Sequence, residues 1–362
     1  MDGISGKSAL KVNEGVDQPP IVNPNAVQHI RRNKQQLLTT DKYVKGICEG
    51  SITVLSKAIT LIESSLFEHQ ELAQEIIEKC LPYTGNSVRL GITGVPGAGK
   101  STFIETFGRL LTSKGHKVAV LAIDPSSERS KGSILGDKTR MVTLSGDPNA
   151  FIRPSPSAGS LGGVARKTRE TVILCEAAGF DVVIIETVGV GQSETAVHSM
   201  VDFFLLLMIA GAGDELQGIK RGIMEMADLL VVNKADGSNV TKAMQARTQY
   251  QGALHLFPPR ESGWEPKAMM CSSIEKTGLP DIWTAIEGYV KLSKGNRFFY
   301  NLRQEQTKYW MYETIDEALK HNFYSSTKIQ PYLTEFEHKV MNEKISSFAA
   351  AKELLNRYFK NE

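Results

Sequence analysis

The stretch that decides the fold covers residues 94–101 and reads Gly94-Val95-Pro96-Gly97-Ala98-Gly99-Lys100-Ser101. It fits the pattern G-x-x-x-x-G-K-[ST] at every specified position. A predicted strand at 89–93 precedes it, and a helical stretch follows at 102–113. Glycines let successive backbone N–H groups point at a phosphate, and the start of a helix adds partial positive charge. The stretch therefore predicts a nucleotide phosphate site formed by residues 94–102, with Thr102 as its last member.

Two side chains of this loop have separate expected roles. Lys100 would reach the β- and γ-phosphates and offset the negative charge that develops during phosphoryl transfer, so we expect it to be catalytic. The Ser101 hydroxyl would bind Mg²⁺ beside the phosphates.

Six short apolar runs separated by helical stretches surround the loop. They are too continuous for half-exposed strands, which is typical of parallel strands covered by helices on both faces. The run at 203–210 would also fit a buried helix, but its length and the Gly211-Ala212-Gly213 that follows favour a strand. The sequence predicts an α/β fold with a doubly wound, mostly parallel sheet, built on runs at 88–92, 118–123, 182–185, 203–209, 229–232 and 268–271.

The flanking regions have a helical texture, and they divide the chain into four expected parts. Residues 1–40 form a Gly/Pro/Asn-rich leader that we expect to be flexible, and 41–87 a helical layer. Residues 88–292 form the nucleotide domain and 293–362 a helical arm, which either packs on its own domain or pairs with another subunit. The expected buried faces are Leu55, Ile59, Ile62 and Leu66 in the layer, and Leu302, Tyr309, Tyr312, Ile315 and Leu319, then Phe348, Ala351, Leu355 and Tyr358, in the arm.

Composition excludes several classes of protein. The chain has 362 residues, 41% of them hydrophobic, and a net charge of +2, so it lacks the charge surplus of nucleic-acid or anionic-membrane binders. Its four cysteines show neither disulfide nor zinc spacing. The longest apolar run is far short of the ~20 residues of a membrane span, and no secretory signal is visible. We expect a cytoplasmic protein.

A metal at the phosphates needs a carboxylate from a neighbouring strand. Glu186 ends the run at 182–185 and would hold the metal directly or through a water. Asp124 ends the run at 118–123, about 30 residues after Gly94, which is the size of one strand–helix–strand unit. A right-handed crossover would place Asp124 beside the phosphate loop.

The base site is predicted from Asn233-Lys234-Ala235-Asp236, which follows another apolar run. The Asp236 carboxylate can accept hydrogen bonds from N1–H and the 2-amino group of guanine, whereas adenine would leave it unpaired. Asn233 would fix the loop, and the Lys234 stem would cover the base. After the last run, Ser272, Ser273 and Ile274 would donate backbone N–H groups to the guanine oxygen.

Long segments of the chain resemble the MeaB/ArgK-type G proteins, the bacterial relatives of the human methylmalonic aciduria type A protein. The resemblance covers residues 40–290 closely and the helical flanks in outline. Besides the two motifs above, it is carried by residues 124–127 (DPSS), 132–141 (GSILGDKTRM), 186–194 (ETVGVGQSE) and 211–220 (GAGDELQGIK).

The resemblance implies a phosphate-loop GTPase fold of the SIMIBI kind and binding of GTP, GDP and Mg²⁺. It implies a chaperone that protects an adenosylcobalamin-dependent methylmalonyl-CoA mutase, or a related acyl-CoA mutase, and gates its cofactor loading. It also implies a homodimer through the C-terminal helices. By position, Asp124, Asp137 and Glu186 correspond to metal-shell and switch carboxylates, and Asp214, Gln217 and Lys220 to a segment that responds to the partner.

The sequence leaves open the residue that orients the attacking water and two alternative functions. Gln192 and Asp137 are both candidates for orienting the attacking water, and we expect slow hydrolysis that the partner accelerates. A nickel-insertion GTPase shares the sheet and loop, but the seven histidines and four cysteines are scattered. A kinase acting on a transport protein is the other alternative, although nothing in the chain suggests a phospho-acceptor pocket.

Overall fold

The computed structural model describes residues 37–123, 141–154, 161–187, 193–210 and 221–360. Residues from Thr40 onward form one compact unit. Helices and strands are numbered here along these described residues.

Within the described ranges, one sheet of seven parallel strands organises this unit. In space the strands follow the order β3-β2-β4-β1-β5-β6-β7. Five of them (β1, β2, β4, β5 and β6) are almost continuously buried, as expected for strands covered on both faces. The predicted α/β doubly wound fold is thus confirmed, with the strands β1 Val88–Gly94, β2 Val118–Ile123, β3 Ala150–Pro154, β4 Val182–Thr187, β5 Phe203–Ile209, β6 Leu229–Asn233 and β7 Lys267–Met270.

Two details of the sheet differ from the sequence-based expectation. The edge strand β3 was not predicted; it pairs only with β2 and is half-exposed, so its apolar run is short. In addition, β2 is not a neighbour of β1, because β4 lies between them. The run at 203–209 is a strand, as predicted.

The place where β1 ends is fixed by close packing against β5. A Cβ on Gly94 would lie 2.2 Å from the carbonyl oxygen of Leu207, so only glycine fits at the point where the phosphate loop leaves the sheet. The core beneath the loop contains Phe103 and Phe107, whose rings stack at 5.2 Å.

Helices flank the sheet and extend the chain at both ends. Their bounds are α1 Thr40–Cys48, α2 Ile52–Glu63, α3 Phe67–Cys80, α4 Lys100–Ser113, α5 Val142–Ser145, α6 Leu161–Ala177, α7 Ser193–His198, α8 Arg221–Met226, α9 Val240–Leu254, α10 Leu279–Gly295, α11 Phe298–Ser325, α12 Gln330–Met341 and α13 Ser347–Lys360. No helix among these residues has the length and apolar character needed to cross a membrane.

The predicted buried faces of the flanking helices are only partly right. In α2, Leu55, Ile59 and Ile62 are buried as expected, but Leu66 lies beyond the helix and is exposed. In α13 the buried residues are Ala350 and Leu354, while Phe348 is 86% exposed.

Helix α11 is attached to the sheet by buried charges. The Arg303 guanidinium donates to both carboxylate oxygens of Asp202, each over 2.7 Å, and to the carbonyls of Gly85 and Ser87. The backbone N–H of Arg89, in β1, donates to the same Asp202 carboxylate. The start of α11 is therefore fixed to the edge of the sheet where the strands begin.

Candidate functional site

The phosphate loop has the backbone that its glycines permit. Gly97 and Gly99 have φ values of +78° and +84°, in the left-handed region that side chains other than glycine rarely adopt. Helix α4 begins directly after, at Lys100, with Gly99 as its N-cap. The first N–H groups of this helix have no intrahelical acceptor and carry the positive end of its dipole, so they are available to an anion.

Lys100 lies across its own loop. Its Nζ donates to the carbonyl of Gly94 over 2.9 Å and to that of Val95 over 3.4 Å. Burial lowers the pKa of Lys100, and the carboxylates of Glu186 and Glu194 oppose that shift by favouring its charged form. The ammonium is thus held where the phosphates of a nucleotide would extend from the loop.

Ser101 and Glu186 are brought together by the pairing of β1 with β4. The register places Ile92 opposite Glu186, and the Ser101 hydroxyl lies 3.3 Å from a carboxylate oxygen of Glu186. A hydroxyl and a carboxylate are hard oxygen ligands of the kind that Mg²⁺ takes together with waters and phosphate oxygens. The residues present therefore fit this metal.

A buried pair of hydroxyls supports the ends of the same two strands. The Thr187 hydroxyl, next to Glu186, donates to that of Thr93 over 2.7 Å. This bond connects the end of β4 to the end of β1, directly before the phosphate loop.

Asn233 connects the predicted phosphate and base sites. Its Nδ2 donates to the carbonyl of Ala98, in the phosphate loop, over 2.9 Å. Its Oδ1 accepts from both the N–H and the hydroxyl of Ser273, at 3.2 and 2.9 Å. Asn233 is 1% exposed, so it acts as an internal brace between the two loops.

Asp236 and Lys234 lie on the loop that follows β6. The Ser272 hydroxyl donates to Oδ2 of Asp236 over 2.5 Å. Lys234 has a φ of +59°, and its carbonyl accepts a 2.7 Å bond from the side chain of Asn239, which holds the turn. The Lys234 stem is exposed and reaches over Gly99, because its Cε lies 3.8 Å from the place of a Cβ there.

Of the three residues predicted to donate backbone N–H groups to the base, two already donate within the protein. The N–H of Ser272 donates to the carbonyl of Thr277, and that of Ser273 to Asn233. Ile274 is exposed, and its N–H has no acceptor within the described ranges. This leaves Ile274 as the one candidate donor of the three for a base oxygen.

Several predicted site residues lie outside the described residues. These are Asp124, Asp137 and Gln192, together with Asp214, Gln217 and Lys220. The strand that precedes Asp124 is β2, which is separated from β1 by β4. Glu186, near the end of β4, therefore lies on a strand adjacent to β1, whereas Asp124 follows a strand that is not.

Glu194, for which the sequence predicts no role, is buried in the first turn of α7. Its charge acts on Lys100 together with that of Glu186. A carboxylate eight positions after Glu186, beyond a glycine-rich segment, was the available signal. Only the packing of α7 beside the site distinguishes it from a surface residue.

Comparison with known proteins gives consistent results. The chain is 45% identical over 316 residues to a protein of Escherichia coli named GTPase ArgK, covering 87% of this chain and 96% of that one. It is 44% identical over 331 residues to the mitochondrial methylmalonic aciduria type A homolog of Mus musculus, covering 89% of this chain and 80% of that one. A crystal structure described as LAO/AO transport system kinase superposes with a TM-score of 0.72 at 38% identity, over 89% of this chain and 99% of that one. The model of the family described as methylmalonyl Co-A mutase-associated GTPase MeaB matches residues 55–328. The chain belongs to the MeaB family of methylmalonyl Co-A mutase-associated GTPases.

Proposed function

We propose that this protein binds GTP and GDP with Mg²⁺ and hydrolyses GTP to GDP and phosphate. The observation that carries the proposal is the Asn233 brace, which holds the phosphate loop through Ala98 and the base loop through Ser273. A single buried side chain thereby sets the distance between a phosphate cradle and a carboxylate suited to guanine. Residues 94–102 would hold the phosphates, and Asn233, Lys234, Asp236 and the loop at 272–274 would hold the base.

The chemistry assigned to the site is positioning and charge neutralisation. Lys100 would stabilise the negative charge that develops on the phosphates, and Ser101 and Glu186 would hold Mg²⁺, with Asp124 and Asp137 as further ligands. When bound, the metal supplies positive charge at the β- and γ-phosphate oxygens. Gln192 or Asp137 would orient the attacking water.

The partner in this proposal is an adenosylcobalamin-dependent methylmalonyl-CoA mutase or a related acyl-CoA mutase. The family name supports the association, and one relative is named for methylmalonic aciduria. The protein would act as a chaperone that protects the mutase and gates its cofactor loading according to the bound nucleotide. No nucleic acid or membrane takes part.

We further propose a homodimer formed through α11. One stripe of this helix is apolar and about half-exposed. Apolar residues that recur every three or four positions of a helix usually face a core. Patches of this kind on soluble proteins mark interaction surfaces. Another copy of the same helix would cover the stripe, whose members are Met311, Tyr312, Ile315 and Leu319.

Single-turnover GTP hydrolysis, measured with and without the mutase, tests the proposal. We expect slow hydrolysis by the protein alone and acceleration of tenfold or more when the mutase is added. Lys100→Ala is the control that should abolish both rates. A fast rate that the mutase does not change would contradict the chaperone role but not the GTPase activity.

The fate of the γ-phosphate separates this function from the two alternatives. Radiolabelled phosphate should appear free in solution; its transfer to a protein would favour a transport-protein kinase. A nickel-insertion role would require a metal cluster, and the described residues contain no group of three or more His, Cys, Asp or Glu side chains that could form one.

A further inference from the structure

A cavity lies at the edge of the sheet opposite to the phosphate loop. It has a volume of about 290 Å³ and opens where β5 and β6 begin. Its lining includes His198 in α7, Phe203 and Phe204 in β5, Asp228 before β6, Arg260 in the loop after α9, and Tyr289 in α10. The GTPase chemistry proposed above uses none of them.

Three polar side chains of this cavity each have at least one polar atom without a hydrogen-bond partner among the described residues. The Asp228 carboxylate accepts one bond through Oδ2, from the N–H of Phe204 over 2.8 Å, while its Oδ1 has no hydrogen bond to any described residue. The Tyr289 hydroxyl and the His198 ring nitrogens also have no hydrogen-bond partner among the described residues. Asp228 is 8% and Tyr289 2% exposed. These atoms are not sealed in the interior but open onto one cavity, where a single ligand with several donors can reach all three.

Aromatic rings form the walls around these groups. The His198 ring meets Phe204 edge-on with centroids 5.5 Å apart, and Phe203 meets Tyr289 at 5.0 Å. Phe257 and Phe298 complete the apolar lining. Ring faces attract cations as well as apolar groups, most strongly where water is excluded.

The charges at the cavity favour a positively charged ligand. Glu225 and Glu261 line it in addition to Asp228, against Arg260 as the one cationic side chain in the lining. Arg260 donates to the carbonyl of Ala227 over 2.7 Å, which engages part of its guanidinium. The remaining acid, Asp202, is already paired with Arg303.

Neutral His198 adds an acceptor and no charge. Burial and the nearby Arg260 both lower the pKa of His198, so its imidazole is uncharged at neutral pH. An alkylammonium group has three N–H donors. Asp228 Oδ1, the Tyr289 hydroxyl and a His198 nitrogen are three acceptors for them.

We propose that this cavity binds a small primary amine, with its ammonium group facing Asp228, Tyr289 and His198 and its alkyl chain packed among the phenylalanine rings. This site is independent of the nucleotide site, so its test does not depend on GTP hydrolysis.

Calorimetric titration of the full-length protein with n-butylammonium tests the proposal, with n-butyrate and n-butanol as probes of the same size. We expect only the ammonium to bind, with roughly millimolar affinity for so small a ligand. Burial raises the pKa of Asp228 to about 7. Since the ionised carboxylate is the binding form, affinity should rise about tenfold between pH 6 and pH 8.

Two conservative variants and one control identify the atoms involved. Asp228→Asn keeps the acceptor for Phe204 but removes the charge, and should weaken binding at pH 8 at least tenfold and abolish its pH dependence. Tyr289→Phe removes only the hydroxyl and should weaken binding roughly three- to tenfold. Glu287→Gln, on the exposed side of α10, should change nothing. Retained GTP binding shows that each variant is folded, and Tyr289→Phe carries the test if Asp228→Asn does not fold.

Three outcomes would overturn the proposal. They are no detectable binding of butylammonium at roughly ten times the expected Kd, equal binding of butyrate, and unchanged binding by folded Asp228→Asn or Tyr289→Phe. The first would leave the cavity without the assigned ligand class, the second would show that it does not select a positive charge, and the third would show that the amine binds elsewhere.

Discussion

The hydroxyl of Ser272 donates to Oδ2 of Asp236 over 2.5 Å, so a side chain of the loop after β7 fixes the carboxylate of the loop after β6. The same hydroxyl accepts from the N–H of Glu275 over 3.0 Å, which fixes its own orientation. A carboxylate held in this way presents its free lone pairs in one direction. This arrangement suits recognition of two neighbouring donors on a purine edge.

Replacement of Asp236 tests the choice of base. In Asp236→Asn an amide donor would face the guanine donors, so GTP affinity should fall by a factor of roughly 10³ or more, while xanthosine triphosphate should bind better than GTP. Ser272→Ala should reduce GTP affinity only about three- to tenfold, because the carboxylate remains. Competition of a fluorescent GTP analogue with each nucleotide measures both effects. Undiminished GTP affinity in Asp236→Asn would place the base elsewhere.

The Asn233 brace predicts a coupled loss of nucleotide binding and stability. Asn233→Ala leaves the carbonyl of Ala98 and the hydroxyl of Ser273 without their partner in the interior. We expect a loss of about 1–3 kcal/mol in the free energy of unfolding and weaker binding of both GTP and GDP. Urea unfolding and nucleotide titration provide the measurements. Asn239→Ala, at an exposed turn of the same loop, is the control and should cost less than 1 kcal/mol.

The ion pair between Arg303 and Asp202 should be costly to break. Arg303→Ala leaves Asp202 buried without its cation, whereas Glu176, 3.9 Å from Arg303, keeps its pair with Arg89. Breaking a buried pair costs about 3–5 kcal/mol, whereas an exposed pair is worth less than 1 kcal/mol. Thermal and urea unfolding of Arg303→Ala and of Lys339→Ala, which breaks the exposed pair with Glu335, should show this contrast. Equal effects would mean that Arg303 does not secure α11.

The raised pKa of the Asp228 carboxyl should make the free energy of unfolding depend on pH. Burial raises its pKa to about 7, whereas in the unfolded chain it is near 4. Between these values the folded state holds a proton that the unfolded state releases, so this group makes the protein less stable as the pH rises from about 4 to 7. Asp228→Asn removes the effect and should stabilise the protein roughly 2–3 kcal/mol more at pH 8 than at pH 5.

Urea unfolding at the two pH values measures this difference. Asp281→Asn, an exposed carboxylate at the start of α10, supplies the baseline for removal of a surface charge. A stabilisation of Asp228→Asn that is the same at both pH values would show that the Asp228 carboxyl is ionised in the same range in both states.

The proposed dimer depends on the apolar stripe of α11. Two glutamates within the stripe, Ile315→Glu with Leu319→Glu, would place charge in a desolvated interface and should yield a monomer. Light scattering after size-exclusion chromatography reports the mass, and nucleotide binding should be unaffected. Lys320→Glu, on another side of the helix, is the control. A dimer that persists in the double variant would locate the interface away from α11.

The sequence by itself determined the phosphate loop, the strand character of the six apolar runs and the pair of motifs for phosphate and base. These features are local, because a glycine must supply a positive φ at its own position and a doubly covered strand must be apolar along its own length. For the same reason the run at 203–209 was recognisable as a strand. The strand β3 escaped prediction since an edge strand is half-exposed and leaves a weaker pattern.

Only the tertiary structure decided which distant residues meet. The order β2-β4-β1 brings Glu186 to the phosphate loop and moves β2 one strand away, and the side chain of Asn233 connects loops that lie 135 positions apart in the sequence. The cavity around Asp228 likewise gathers residues from a strand, loops and several helices. Strand pairing and register determine these meetings, and both result from packing of the whole chain, which no short stretch of sequence contains.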